Sequence, residues 1–235
     1  MFNIKRKIKY DRGFTFKPLT SGLTLIELMV VISIFLMITS VAIFNYGSFN
    51  SNISLQNLTD DIALSIRKAQ SFAIGARGIK IDGKEEVEFN KSYGVHFSIN
   101  PIPSTTSVDS SNQSFLVFST PTADKKYDSS SNPCGSGGEC VEFFNITTAD
   151  YIKEIAVTEN STRESIGENA TVDIVFTRPN PRAYFCYRHS LNDTCETNVS
   201  SVDIIISNGN KDKEKFKIIS VQNTGQISIQ NYEYK

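Results

Sequence analysis

One acidic residue, Glu27, lies inside an otherwise apolar run that extends from Leu23 to Phe44. Holding a carboxylate near the middle of a bilayer costs about 2.5–3.5 kcal/mol, so an acid in such a run marks a functional position. Gly22 stands just before the run. Glu27 follows five residues later, and a cation met there, on this chain or on a neighbouring helix, would offset the burial of its charge. The chemistry this predicts is ion pairing in a low-dielectric medium, not bond making. Only two histidines occur, His96 and His189. His96 alternates with Val95 and Phe97 and reads as a surface or sheet histidine. His189 falls between Cys186 and Cys195. No G-x-S-x-G, H-E-x-x-H or Walker sequence is present. The Gly135–Gly138 cluster does not join a strand to a helix, and Glu85, Glu86 and Glu88 read as a solvated face. The expectation is a chain with no catalytic residues, no cofactor and no metal.

The element that must carry Glu27 is a helix. At 1.5 Å per residue the Leu23–Phe44 run makes a rod of roughly 33 Å, enough to cross a hydrocarbon core of ~30 Å. Ahead of it, Lys5, Arg6, Lys7, Lys9, Arg12 and Lys17 stand against Asp11, a net of +5, while the other 18 basic and 24 acidic residues leave −6. A basic segment before an apolar span predicts a cytoplasmic N-terminus. Residues beyond about 46 would then lie outside the cytoplasm.

Gly22 followed by Leu23-Thr24-Leu25-Ile26-Glu27-Leu28 and a long apolar tail resembles the processing site of type IV prepilins and type II secretion pseudopilins. The resemblance implies cleavage after Gly22 by a prepilin peptidase, methylation of the new N-terminus at Leu23, and a need for Glu27 in filament assembly. Leu23 stands where the family usually has Phe. The implied partners are the prepilin peptidase, other pilin or pseudopilin subunits, an inner-membrane assembly platform and the membrane itself. The implied location is the inner membrane as a single-pass protein, then a filament outside the cytoplasm. Two further stretches, Ala63–Ile74 and Val221–Ile229, resemble minor subunits of the GspH and FimT type. The implied role is a structural subunit of a pilus or pseudopilus, as a minor component. The alternative is a minor pilin acting as a tip module that binds DNA or a surface.

Beyond the apolar run, residues 45–52 are polar and contain Gly47. Leu55, Leu58, Ile62, Ile66, Ala69 and Ala73 then recur at three- and four-residue steps, which predicts an amphipathic helix with one buried stripe and stops at Gly75 or Gly78. From there the period changes to two. Strands are expected near 87–89, 95–99, 115–119, 140–146, 151–158, 171–178, 183–187, 201–207, 214–221 and 226–230, with a hairpin signal at Asn208-Gly209. Residues 100–114 and 121–139 read as loops or partly disordered insertions. The fold class is therefore α+β: a long N-terminal helix, half transmembrane and half amphipathic, packed on a mainly antiparallel β domain. The expected divisions are a leader at 1–22, the membrane half at 23–46, the amphipathic half at 47–77 and the β domain at 78–235.

Four cysteines permit three pairings. Cys134 with Cys140, and Cys186 with Cys195, is preferred because each pair flanks a turn-rich loop; free thiols are the alternative. Neither spacing is that of a zinc site. The Asn208–Glu214 stretch offers oxygens at every second position, but Lys211 and Lys213 intervene, so a turn explains it better than calcium. Two groups offer nucleic-acid contacts. Lys211, Lys213, Lys215 and Lys217 would share one strand face. Arg178, Arg182 and Arg188 surround Tyr184, Phe185 and Tyr187, a mixture on which single strands can stack. Against this, the net −6 outside the leader gives no general attraction to phosphate. FimT-like proteins that bind DNA carry an arginine near the C-terminal end, where this chain has Gln226.

Overall fold

The computed structural model describes residue 22 and residues 24–75, 77–80, 87–89, 91–100, 111–121, 125–128, 139–189, 195–210 and 213–232. The chain is α+β and divides into two compact units, Met1–Tyr46 and Gly47–Lys235. Helix α1 (Leu25–Ile74) starts in the first and ends in the second.

In the first unit, Leu25–Ile43 is long and apolar enough to cross a membrane, and none of it is buried among the described residues. Leu25 is 76% exposed and Met37 70%. The Thr39 hydroxyl donates to the Phe35 carbonyl at 2.7 Å, so this polar group on the apolar rod is satisfied by the rod's own backbone.

In the second unit, Leu55, Leu58, Ile62, Ile66, Ala69 and Ala73 are all buried, the stripe that the three- and four-residue spacing predicts. They share one core with two five-stranded antiparallel sheets. The first sheet runs β5 (Cys140–Asn145), β4 (Ser114–Pro121), β3 (Lys91–Ser98), β8 (Thr171–Thr177), β9 (Asn180–Arg188). The second runs β12 (Ile227–Tyr232), β11 (Phe216–Gln222), β10 (Ser201–Ser207), β6 (Tyr151–Glu159), β7 (Thr162–Ser165). A small hairpin, β1 (Ile79–Lys80) with β2 (Val87–Glu88), precedes them. Val95, Phe97, Ile174, Phe176, Ile204 and Ile219 are fully buried on the inward faces, each contributing about 1.5–3 kcal/mol by leaving water.

Two sequence expectations are corrected here. Strand β7 was not anticipated, because Thr162–Ser165 is wholly exposed and carries no apolar alternation. Strand β11 begins at Phe216, so Lys213 and Lys215 precede the strand and only Lys217 lies in it. Lys217 is engaged by the Gln56 side chain of α1. The four lysines therefore form no common strand face, and Lys211 lies outside the described residues. Within the 121–139 stretch, residues 125–128 are loop, as expected, and Tyr127 among them is buried against the first sheet. The rest of that stretch and of 100–114 lies mostly outside the described residues.

Gln70 ties the helix to the turn between β11 and β12. Its Nε2 donates to the Pro181 carbonyl at 3.0 Å and to the Gly225 carbonyl at 3.2 Å. Gly225 has φ +88°, and a Cβ there would meet the Pro181 oxygen at 2.2 Å and Gln70 Nε2 at 2.6 Å. Gly225→Ala is therefore expected to cost about 1–3 kcal/mol, from left-handed strain plus displacement of the clamp, as a lowered midpoint in denaturant unfolding.

Glu214 accepts from Lys153 at 2.9 Å and from Ser207 at 2.8 Å. The hydrogen bond from Lys153 holds this carboxyl below the ordinary carboxylate range, against the opposing effect of burial. Its contribution to stability is present above the unfolded-state pKa, about 4.3, and is lost as pH falls through the lower folded value. Glu214→Gln is expected to remove part of the acid sensitivity below about pH 4.3, measured as the unfolding midpoint against pH.

Candidate functional site

Helix α1 begins with a capping box formed by Thr24 and Glu27. Glu27 Oε2 accepts from the Thr24 backbone N–H at 2.9 Å and from the Thr24 hydroxyl at 2.9 Å. The Glu27 N–H in turn donates to Thr24 Oγ1 at 3.3 Å, and the Leu28 N–H to the Thr24 carbonyl at 3.2 Å. A negative group in the first turn is also favoured by the helix dipole. The sequence reading missed Thr24, although its signal, Thr followed three residues later by Glu before an apolar run, was in plain view. Among the described residues Oε1 of Glu27 has no partner, so one lone-pair face stays open to an outside donor. Leu23 lies outside the described residues. No described residue lies within 4 Å of where a Cβ on Gly22 would be.

The three arginines expected to gather do not. β9 alternates, so Ala183, Phe185 and Tyr187 point into the core while Tyr184 lies on the opposite face. Arg178 donates to the Phe89 carbonyl. Arg188 is buried and donates to Asp173 Oδ2 at 3.2 Å and to the Tyr127 carbonyl at 3.4 Å. Only Arg182 is left facing a cleft, which it lines with Lys125, Tyr184, Thr197 and Asn223. Tyr187 is spoken for as well. Its hydroxyl donates toward Glu196 at 2.8 Å and Glu159 at 3.1 Å. Burial first, then these two carboxylates, raise its pKa above the usual tyrosine range.

Asp173 forms a buried polar cluster on the outer face of the first sheet. Its register partner His96 presents Nδ1 to Oδ1 at 2.6 Å. Oδ2 accepts from the Tyr127 N–H at 3.0 Å as well as from Arg188. His96 thus lies within the sheet but is fully covered, its ring 4.8 Å from that of Tyr127. The carboxylate pins residues 125–128 across the sheet and so sets where Lys125 stands over Tyr184, 3.6 Å from the ring centroid. A sequence signal existed: an aspartate in the middle of the apolar strand Thr-Val-Asp-Ile-Val-Phe-Thr.

The cysteines flank this region. Cys186 is bonded to Cys195, with Cα atoms 5.1 Å apart, which closes the loop beyond β9. Cys140 is disulfide-bonded, and Cys134 lies outside the described residues. Asn208 serves the connection from β10 to β11: its Oδ1 accepts from the Lys215 N–H at 3.0 Å and its Nδ2 donates to Ser51 at 3.0 Å. Among the described residues no cluster of three or more His, Cys, Asp or Glu side chains is arranged to hold a metal.

Removing Asp173 leaves Arg188 as a buried, uncompensated charge. Asp173→Ala is expected to cost about 3–5 kcal/mol and to speed hydrogen exchange at the Tyr127 amide, read by mass spectrometry of the full chain in micelles.

Comparison with protein-family models, with curated proteins and with solved structures returns no match to this chain.

Proposed function

We propose that the chain is a pilin-like structural subunit, cut after Gly22 and assembled through its N-terminal helix into a type IV pilus or a type II secretion pseudopilus, as a minor component. The observation that carries this reading is a single carboxylate, Glu27, one turn into a helix whose stretch from Leu25 to Ile43 is covered by nothing among the described residues. Such a surface is stable only in lipid or among other apolar helices. The Gly22–Leu28 motif supplies the reason for the acid. With the leader removed, the ammonium of a neighbouring subunit's first residue is the donor that the open Oε1 would accept. Before assembly the helix rests in the inner membrane, with the basic leader in the cytoplasm. On assembly it passes from lipid into a bundle of similar helices, where pairing of Glu27 fixes the axial fit. The α1 segment from Gly47 onward carries the β domain outside the membrane. The reading assigns no catalysis. Its partners are a prepilin peptidase, an assembly platform and sibling subunits.

The Thr24–Glu27 capping box refines the role of the acid. Thr24 holds the carboxylate close to the helix start when no partner is present, and so lowers the cost of keeping it in the membrane. A second reading, a minor subunit that acts as a binding module at the filament tip, is favoured by the cleft at Lys125 and Arg182.

Glu27→Ala is expected to leave membrane insertion intact and to reduce filament incorporation at least tenfold, followed by fractionation and by cross-linking in the host. Normal incorporation of that variant would remove the assembly role from Glu27.

A further inference from the structure

The cleft beside β9 has an open backbone edge that its neighbours do not fill. On that edge the Ala183 N–H donates to the Asn223 carbonyl at 3.1 Å. Four residues on, Tyr187 and Glu196 exchange hydrogen bonds at 3.2 and 3.0 Å. Hydrogen bonding along a strand alternates, so Phe185, midway between them, also turns its N–H and C=O away from β8. Neither group has a partner among the described residues. This gap opens onto a cavity of about 350 Å³ lined by Lys125, Arg182, Tyr184, Phe185, Thr197 and Asn223. That is near the lower end of ordinary small-molecule sites, ~300–1,000 Å³, and suits one ligand residue rather than a long chain.

The lining groups specify the ligand. Lys125 and Arg182 both line the cleft, and among the described residues neither has an acidic partner. The Asn223 amide, the Thr197 hydroxyl and the Phe185 peptide edge each offer both a donor and an acceptor. A phosphodiester, which has no P–OH, would satisfy the cations and leave every acceptor idle. A hydroxylated anion satisfies both sets. A stacked nucleobase is disfavoured, because Lys125 already covers the Tyr184 ring at 3.6 Å. Ala183 and Val199 supply a small apolar wall for the C–H side of a ring.

We propose that this cleft binds a carboxylate-bearing sugar residue of the uronate class, the carboxylate held by Lys125 and Arg182 and the ring hydroxyls by Phe185, Thr197 and Asn223. The site belongs wholly to the β unit and stands whether or not the chain assembles into a filament.

The test is calorimetric titration of the full chain, in micelles of a zwitterionic detergent without a sugar headgroup, with glucuronate and galacturonate. Saturable binding is expected for a uronate, at least tenfold weaker for glucose and for acetate. Lys125→Gln and Arg182→Gln should each weaken uronate binding about tenfold, the scale of one charge-assisted hydrogen bond, with the unfolding midpoint unchanged. Thr197→Val should weaken uronate but not acetate. Absence of uronate binding by the folded chain, or binding untouched by both charge variants, overturns the assignment. So does acetate or inorganic phosphate binding as tightly as the uronate, which would make the cleft a plain anion site. An oligothymidylate that binds more tightly than the uronate, and is lost in the same variants, overturns it in favour of nucleic acid.

Discussion

The apolar surface of Leu25–Ile43 has no cover among the described residues, and that deficit governs everything else. At about 25 cal/mol per Å² of apolar surface, a helix exposed on all sides cannot be left in water. Lipid and a bundle of like helices are the two environments that cover it, and neither alone discriminates register. Lipid tails and Leu side chains are equally greasy, so a polar group must supply the difference. Glu27 is the only ionisable side chain in the span, and Thr24 already occupies half of its carboxylate. Among the described residues its Oε1 is left without a partner. A polymer that needs a single axial fit between smooth rods would use such a group.

The second unit solves a different problem, that of holding two sheets and a helix in one core while leaving its edges usable. Buried side chains of α1 and of both sheets interlock, and polar ties fix the periphery. Lys68 meets Glu142 across the helix and β5, Ser54 meets Asp150, and Gln70 spans from the helix to two carbonyls on separate segments. Asp173 does the same on the outer face of the first sheet, where three donors share one carboxylate. Each tie is shared between groups on separate segments, so a single deletion leaves its partners stranded. The strap they hold down is also what brings Lys125 beside Arg182, so the cleft depends on a buried carboxylate rather than on the surface residues alone.

Much of this was legible in the chain itself. The helix stripe from Leu55 to Ala73 was visible because a helix that packs on one side must repeat every three to four residues. Most strands were visible because at least one face of each carries apolar residues at every second position. β7 was hidden because an exposed edge strand needs no apolar pattern. The lysine series was misjudged because a strand was assumed to start at 214, whereas the Asn208-centred turn extends to Lys215. The arginines were grouped by nearness in sequence, yet alternation along β9 and the pull of Asp173 send Arg188 under Tyr127 and leave Arg182 alone at the cleft. Asp173 and His96 could not be paired from sequence, since only the β3–β8 register sets them opposite each other.

The central claim is that a rod with one outward acid is made by trimming the chain at Gly22. Intact-mass and N-terminal peptide mass spectrometry of the protein isolated from its host tests this most directly. A mature chain beginning with an N-methylated Leu23 is the predicted result. A chain that still begins at Met1, with an unmodified Gly22–Leu23 bond, would contradict it.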